Sequence, residues 1–300
     1  MISLDKLLSQ VINKDNFKSI EDYIEFCISY LKYIASNLQA VIVSQNESQY
    51  RFFQYNESAG FQITRPINSN LMYSAKDFSE NSKLFLGILK KAKSIKPDMQ
   101  KERETINRTT YTIQQSIGAA LDGLPAGESN KARKLNGDFF ERFIRLILQK
   151  IGINCKSDVI QIPVLSNENE ILFHMSYQHD LVVQEGDEIK LIGSVKTSSK
   201  DRIDKIFIDK FLYARLTGTN VPHIAIFLND VQRKNTKTEN EYGINSTFLP
   251  GHFKGYTIKL NPLDGVYYCD IRPNMLTENI LKDHIKTFDK FLCDDIWNFI

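Results

Sequence analysis

Hydrophobic positions in the first part of the chain keep a helical beat. Tyr23, Phe26, Cys27, Tyr30, Leu31, Ile34 and Leu38 recur at three- and four-residue steps behind Ser19-Ile20-Glu21-Asp22, a capping sequence, and predict one long helix. Segments 77–95 and 99–121 predict two more, broken near Pro97. The aromatic-rich stretch 50–71, with Gly60 and Pro66, fits short strands or a loop. Residues 123–130 gather Gly123, Pro125 and Gly127 and read as a linker, or as an ordered loop within one domain.

Beyond the linker the pattern alternates between periods. A helix over 131–151 carries Phe140, Phe143, Ile144, Ile147, Leu148 and Ile151 on one stripe. Strands follow at 159–164 and 171–177, then two β-rich runs at 177–184 and 189–197 that pair as a hairpin. Ile203, Ile206, Phe207, Phe211 and Ala214 restore helical spacing over 201–216, where Ser198, Ser199 or Asp201 can supply the N-cap. A buried strand at 221–228, an edge strand at 266–272 and a closing helix over 278–299 complete the reading. That order predicts an α/β fold, a mixed central β-sheet flanked by helices (126–300), with a mainly helical N-terminal domain (1–125).

The hairpin loop decides which side chains meet, because successive residues of a strand face opposite ways. A two-residue loop at Gly186-Asp187 sets Asp180 opposite Gly193 and sends Lys196 to the other face. A three-residue loop, Gly186 to Glu188, sets Asp180 opposite Ser194 with Lys196 one diagonal step away. Only the odd loop builds a site, so that loop is expected. On the helix that follows, Arg202, Ile206, Asp209 and Tyr213 share one stripe, so Asp209 can face back toward the hairpin.

Composition narrows the class. With 42% hydrophobic residues the chain can bury a sizeable core. It has no apolar run of about 18 residues and no basic-then-apolar leader, so a cytoplasmic location is expected. Cys27, Cys155, Cys269 and Cys293 are far apart and without CxxC spacing, which suits reduced, packed thiols. The five histidines, His179 included, show no metal-ligand spacing. The net charge of +2 is unremarkable, but residues 76–108 hold nine Lys and Arg against five Asp and Glu, a surplus that suits either phosphate contact or a solvated face. The polar stretch 233–251 is the longest irregular segment expected in the second half.

Asp180, Lys196 and Asp209 together suit metal-dependent phosphodiester hydrolysis. Mg²⁺ wants carboxylate oxygens and keeps several waters, leaving room for a phosphate and an attacking water. Asp180 and Asp209 are the expected metal ligands, and Lys196 serves the nucleophile.

Asp180 followed by Ser194-Val195-Lys196 resembles the PD-(D/E)xK nuclease motif, with Ser where most members carry Glu or Asp. One group within that family, the type II restriction endonucleases reading CCGG-containing sites, is similar in having Ser-x-Lys, then a basic residue, Asp-Arg, and an acid seven positions after that Arg. Ser194-Val195-Lys196, Lys200-Asp201-Arg202 and Asp209 match it, which makes Asp209 the displaced acid. The resemblance also implies a helical Glu before the sheet, matched by Glu141, although Glu141 sits four before Arg145 and equally suits an ion pair. It covers roughly residues 130 to 230, with His179 in place of Pro and no match for the first Arg of the recognition element.

The resemblance implies a bacterial or archaeal restriction-modification enzyme with Mg²⁺ as cofactor, double-stranded DNA as partner and a homodimer or higher homo-oligomer as the assembly. Lys200, Asp201 and Arg202, at a helix start beside the catalytic strand, are the expected DNA-binding residues, since Arg can read guanine and Asp can accept from cytosine. Two other readings stand beside this one. Ser194 suits a non-cleaving, sequence-specific DNA-binding protein on a nuclease fold, and a structure-selective nuclease is the third.

Overall fold

The computed structural model describes residues 2–57, 60–200, 202–238 and 240–300. Its centre is a six-stranded sheet in the order β12-β11-β8-β7-β6-β5. The strands are β5 Cys155–Leu165, β6 Ile171–Glu185, β7 Glu188–Ser198, β8 His223–Asn229, β11 Gly265–Tyr268 and β12 Ile285–Thr287. β7, β8, β11 and β12 run parallel, whereas β6 and β5 are antiparallel additions. The mixed α/β sheet expected from the order of elements is therefore present.

Helices cover both faces because β8 is apolar on both sides, as a central parallel strand must be. Its Ile224, Ile226 and Leu228 join a core that includes Phe139, Phe140, Phe143, Ile144 and Ile147 of one helix, Ser129–Lys150 (α5). Ala225 and Phe227 point the other way, into a core with Ile203, Ile206 and Phe207 of Ile203–Thr217 (α6). Gly218 closes α6 with a left-handed φ of 67°, which lets its N–H reach Ala214 O.

The N-terminal half packs on the α5 side. Its helices are α1 Leu4–Ile12, α2 Ile20–Asn37, α3 Ala75–Leu89 and α4 Gln100–Leu121. Ser19 and Asp22 form the expected capping box on α2. α4 is buried along most of its length, and its Ile106, Tyr111, Ile113 and Ile117 share the core of α5 and the sheet. The ambiguous 50–71 stretch forms three strands, β2 Tyr50–Glu57, β3 Gly60–Ile63 and β4 Ile67–Asn68, which with β1 Leu38–Val43 make a second sheet. Leu38, placed by its spacing on the α2 stripe, starts β1 instead.

Residues 123–128 form a turn with Leu124 buried, and α5 begins at Ser129. Two further expectations change. The polar stretch after 230 is a two-stranded ribbon, β9 Val231–Asn235 with β10 Tyr242–Ser246, followed by Pro250–Lys259 (α7). The closing helix is interrupted: Ile285, on its apolar stripe, is buried instead in β12, opposite Val266. A short apolar run fits a buried strand as well as a helix, and sheet pairing decided it.

Candidate active site

The hairpin brings Asp180 to Lys196 by a route other than the expected one. Its loop is the two-residue Gly186-Asp187, with Gly186 at φ 59°. Pairing runs Glu185↔Glu188 and Gln184↔Ile189, then slips to Val183↔Leu191, Val182↔Ile192 and Leu181↔Gly193, leaving Lys190 as a bulge. The bulge supplies the odd residue expected in the loop. Continued, that register sets Asp180 opposite Ser194 with Lys196 a diagonal step away.

At Asp180 the two strands part. Leu181↔Gly193 is the last β6–β7 pair among the described residues, and the β5–β6 register also shifts opposite this point, between Lys156 and Asp158. Backbone groups released there find side-chain partners. Val195 N–H donates to Asp180 Oδ2 at 2.9 Å, and Arg145 Nη1 donates to the Asp180 carbonyl at 2.9 Å. β7 stays in register with β8 through Ser198↔Asn229, so Lys196 projects from a strand fixed on one side.

The gap holds a compact ionic cluster. Lys196 Nζ lies 2.6 Å from Asp180 Oδ2 and 2.9 Å from Glu141 Oε1, the latter reaching in from α5. Burial raises the Glu141 carboxyl and the Asp180 charge raises it further, while Lys196 opposes both, so it stands above the usual carboxylate range. Burial alone pulls Lys196 down, but Asp180 and then Glu141 outweigh it, and the ammonium is held above its ordinary value. Among the described residues, Asp180 Oδ1 and Glu141 Oε2 have no hydrogen-bond partner.

Asp209 Oδ2 pairs with Lys205 at 2.5 Å one turn back along α6, and the Asp209 charge acts on Tyr177 and, together with that of Asp180, on His179. The carboxylate that shares Lys196 with Asp180 is Glu141. No group of three or more His, Cys, Asp or Glu side chains that could hold a metal ion is assembled among the described residues. His179 is a packed ring beside Tyr177 and Tyr213, its basicity lowered by burial.

Glu141 and Lys196 open onto a cleft of about 720 Å³ between α5, the β7–α6 turn, β9 and the N-terminal half. Its cations are Arg65, Arg133, Lys134, Lys196, Lys200, Arg202 and Arg233. Its acids are each engaged: Asp122 by Arg65, Asp138 by Lys14, Glu141 by Lys196. The cleft therefore presents positive charge. Arg65 is fixed there by two bonds from its guanidinium to Asp122, 2.7 and 2.8 Å, and a side chain at Gly118 would collide with it.

Lys200 and Arg202 both line this cleft, and Lys200 Nζ donates to Gln232 Oε1 of β9 at 3.0 Å. Asp201 lies outside the described residues. α6 begins with Arg202 at its N-cap and no side-chain cap, while Ser198 and Ser199 turn to Thr247. The cations of 76–108 do not line the cleft: Arg103 is buried against Asp289 and Asp294, and Arg108 lies over Tyr73. Arg133, Lys134 and Arg145 were missed in sequence because cations on a helix face ordinarily mark solvent.

No protein-family model matches this sequence, and no curated protein matches it. Solved structures do. The chain is similar to the crystal structure of the type IIP restriction endonuclease Kpn2I, with a TM-score of 0.72 and 20% identity over 100% of this chain and 98% of that one. The restriction endonuclease PspGI in complex with substrate DNA matches with a TM-score of 0.42 and 14% identity, over 95% and 94% of the two chains. Across its whole length this chain has the fold of a restriction endonuclease.

Proposed function

We propose that this chain is a type II restriction endonuclease, hydrolysing phosphodiester bonds of double-stranded DNA at a CCGG-containing site with Mg²⁺ as cofactor. The observation that carries the reading is the Lys196 ammonium held between Asp180 and Glu141 where β6 and β7 part, at the edge of a cation-lined cleft. The fold shared with Kpn2I agrees with it.

The donor set fits a hard divalent cation. Asp180 Oδ1 and Glu141 Oε2 are carboxylate oxygens with no other partner among the described residues, and Mg²⁺ prefers such ligands with waters completing its shell. When bound, the ion lowers the pKa of a water and neutralises charge growing on phosphorus. Lys196 is fully charged at neutral pH and so acts as a cation, orienting the attacking water and stabilising that charge. Asp209, the acid that spacing offers in place of the one missing at Ser194, holds Lys205 through Oδ2 rather than Lys196.

Lys200, Asp201 and Arg202 are proposed to read bases, with Arg133, Lys134 and Arg65 meeting phosphates. Arg65 gives the first 125 residues a part in DNA contact. A two-fold site cut on both strands implies a homodimer or higher homo-oligomer, each subunit bringing one such cluster. The protein is proposed to act in the cytoplasm as half of a restriction-modification system.

Ser194 favours one other reading, a sequence-specific DNA-binding protein that does not cut, since among the described residues two carboxylates meet Lys196. One experiment separates the two. The purified protein is incubated with a mixed-sequence plasmid, with Mg²⁺ and with chelator, and fragment ends are sequenced. Discrete Mg²⁺-dependent fragments with a common end sequence support the endonuclease. Intact plasmid with a salt-sensitive mobility shift supports the binder.

A further inference from the structure

We infer that Arg145 is a positioning residue for Asp180, bracing it through its backbone carbonyl so that the brace takes up neither carboxylate oxygen and Oδ1 is left for chemistry. The inference rests on the metal-dependent reading of the same cluster. Where β6 leaves β7, the Asp180 carbonyl loses its ladder partner, and a half-buried carbonyl without a partner is unfavourable. Arg145 Nη1 supplies that partner at 2.9 Å. Glu141 and Arg145 are one helical turn apart on α5, so one helix face touches both strands of the gap: Glu141 holds Lys196 of β7 and Arg145 holds Asp180 of β6.

The brace is rigid at its root. Phe143, Ile144 and Ile147 of α5 are fully buried, and Cys155 Sγ donates to the Arg145 carbonyl at 3.6 Å. The guanidinium binds no carboxylate oxygen of Asp180, so it fixes the residue without competing for a cation. The spacing of Glu141 and Arg145 suggested an ion pair between them; in the structure each holds a different strand.

The test compares Arg145→Met, which keeps the aliphatic packing, and Arg145→Lys with the natural protein. Two readouts are used: Mn²⁺ binding by calorimetry, and acylation of Lys196 in the metal-free protein followed by mass spectrometry. Arg145→Met should lower Mn²⁺ affinity about tenfold, the usual effect of losing a group that orients a ligand. It should also expose Lys196 to faster acylation, with cooperative melting retained. Arg145→Lys should restore most of both. Natural Mn²⁺ affinity and an unchanged Lys196 acylation rate in folded Arg145→Met would overturn the inference. If Arg145→Met does not fold, Arg145→Gln, which is too short to keep the contact, is read in its place: weaker Mn²⁺ binding with faster Lys196 acylation supports the inference, and natural values of both would overturn it. A natural protein that binds Mn²⁺ and cuts no DNA would end the nuclease reading alone.

Discussion

Lys196 Nζ stands 2.6 Å from Asp180 Oδ2, and the same oxygen accepts the Val195 N–H next door on Lys196's own strand. One carboxylate thus fixes both the strand and the side chain it carries. Replacing Lys196 by Ala leaves Asp180 bonded to Val195, so the fold and DNA binding should persist. Mg²⁺-dependent cleavage should fall by about 10²-fold or more, as expected when a preorganised charge aimed at a reacting group is lost. Single-turnover cleavage alongside a mobility shift in chelator measures both. A variant that cuts at the natural rate would remove Lys196 from the chemistry.

Which acid joins Asp180 at the ion is decided by comparing Glu141→Gln with Asp209→Asn. Glu141 already shares Lys196 with Asp180, whereas Asp209 is bound to Lys205. Glu141→Gln should therefore weaken Mn²⁺ binding by about tenfold or more, as expected for an altered metal shell. Asp209→Asn should stay within about twofold of the natural affinity by the same measure. A loss in Asp209→Asn as large as that in Asp180→Asn would return Asp209 to the metal shell.

Sequence spacing made the hairpin, the α6 stripe and the meeting of Asp180 with Lys196 legible, because alternation along strands and turns along helices are local rules. It did not reveal how the register is set. A bulge at Lys190 and a three-residue loop move the pairing by the same single step, and only backbone conformation distinguishes them. Asp209 shows the converse limit. Its place on α6 follows from helical periodicity, and so does the pair it makes with Lys205 four residues back, whereas the face that α6 turns to the sheet is settled by Ile206 and Phe207 packing with Ala225 and Phe227 of β8. β12 was hidden for a related reason: three residues of strand inside a helical pattern are stabilised by pairing with β11, a contact remote in sequence.

Arg202 lines the cleft beside Lys200, which is tied to Gln232. A bidentate contact from Arg to guanine discriminates by about 1–3 kcal/mol, so Arg202→Ala should reduce the preference for cognate over scrambled duplex by about ten- to a hundredfold. Nonspecific affinity, dominated by phosphates, should change little. Competition binding between the two duplexes in chelator gives the ratio directly. Unchanged discrimination would place base reading on another element of the cleft.

Asp270 offers a test of stability rather than activity. It sits buried after β11, where its carboxylate accepts from Tyr50 Oη at 3.0 Å and from Asn68 Nδ2 at 2.8 Å, tying the second sheet to the first. Burial pushes its carboxyl up to about 7, opposed by those two bonds. Its folded-state pKa is thus raised, so its contribution to stability is complete below the unfolded value near 3.8 and is lost as pH rises through about 7. At about 1.4 kcal/mol per pKa unit, the loss is on the order of 4 kcal/mol. Asp270→Asn is neutral throughout and keeps an acceptor for Asn68. Denaturant unfolding of both proteins between pH 5 and 8 should show the natural protein losing stability relative to the variant as pH rises. His223, which burial brings down to about 4, loses stability in the opposite direction as pH falls below 6.5, but it does so in both proteins and cancels in the difference. Parallel curves across that range would mean that Asp270 is ionised in the folded protein and that its bonds to Tyr50 and Asn68 outweigh its burial.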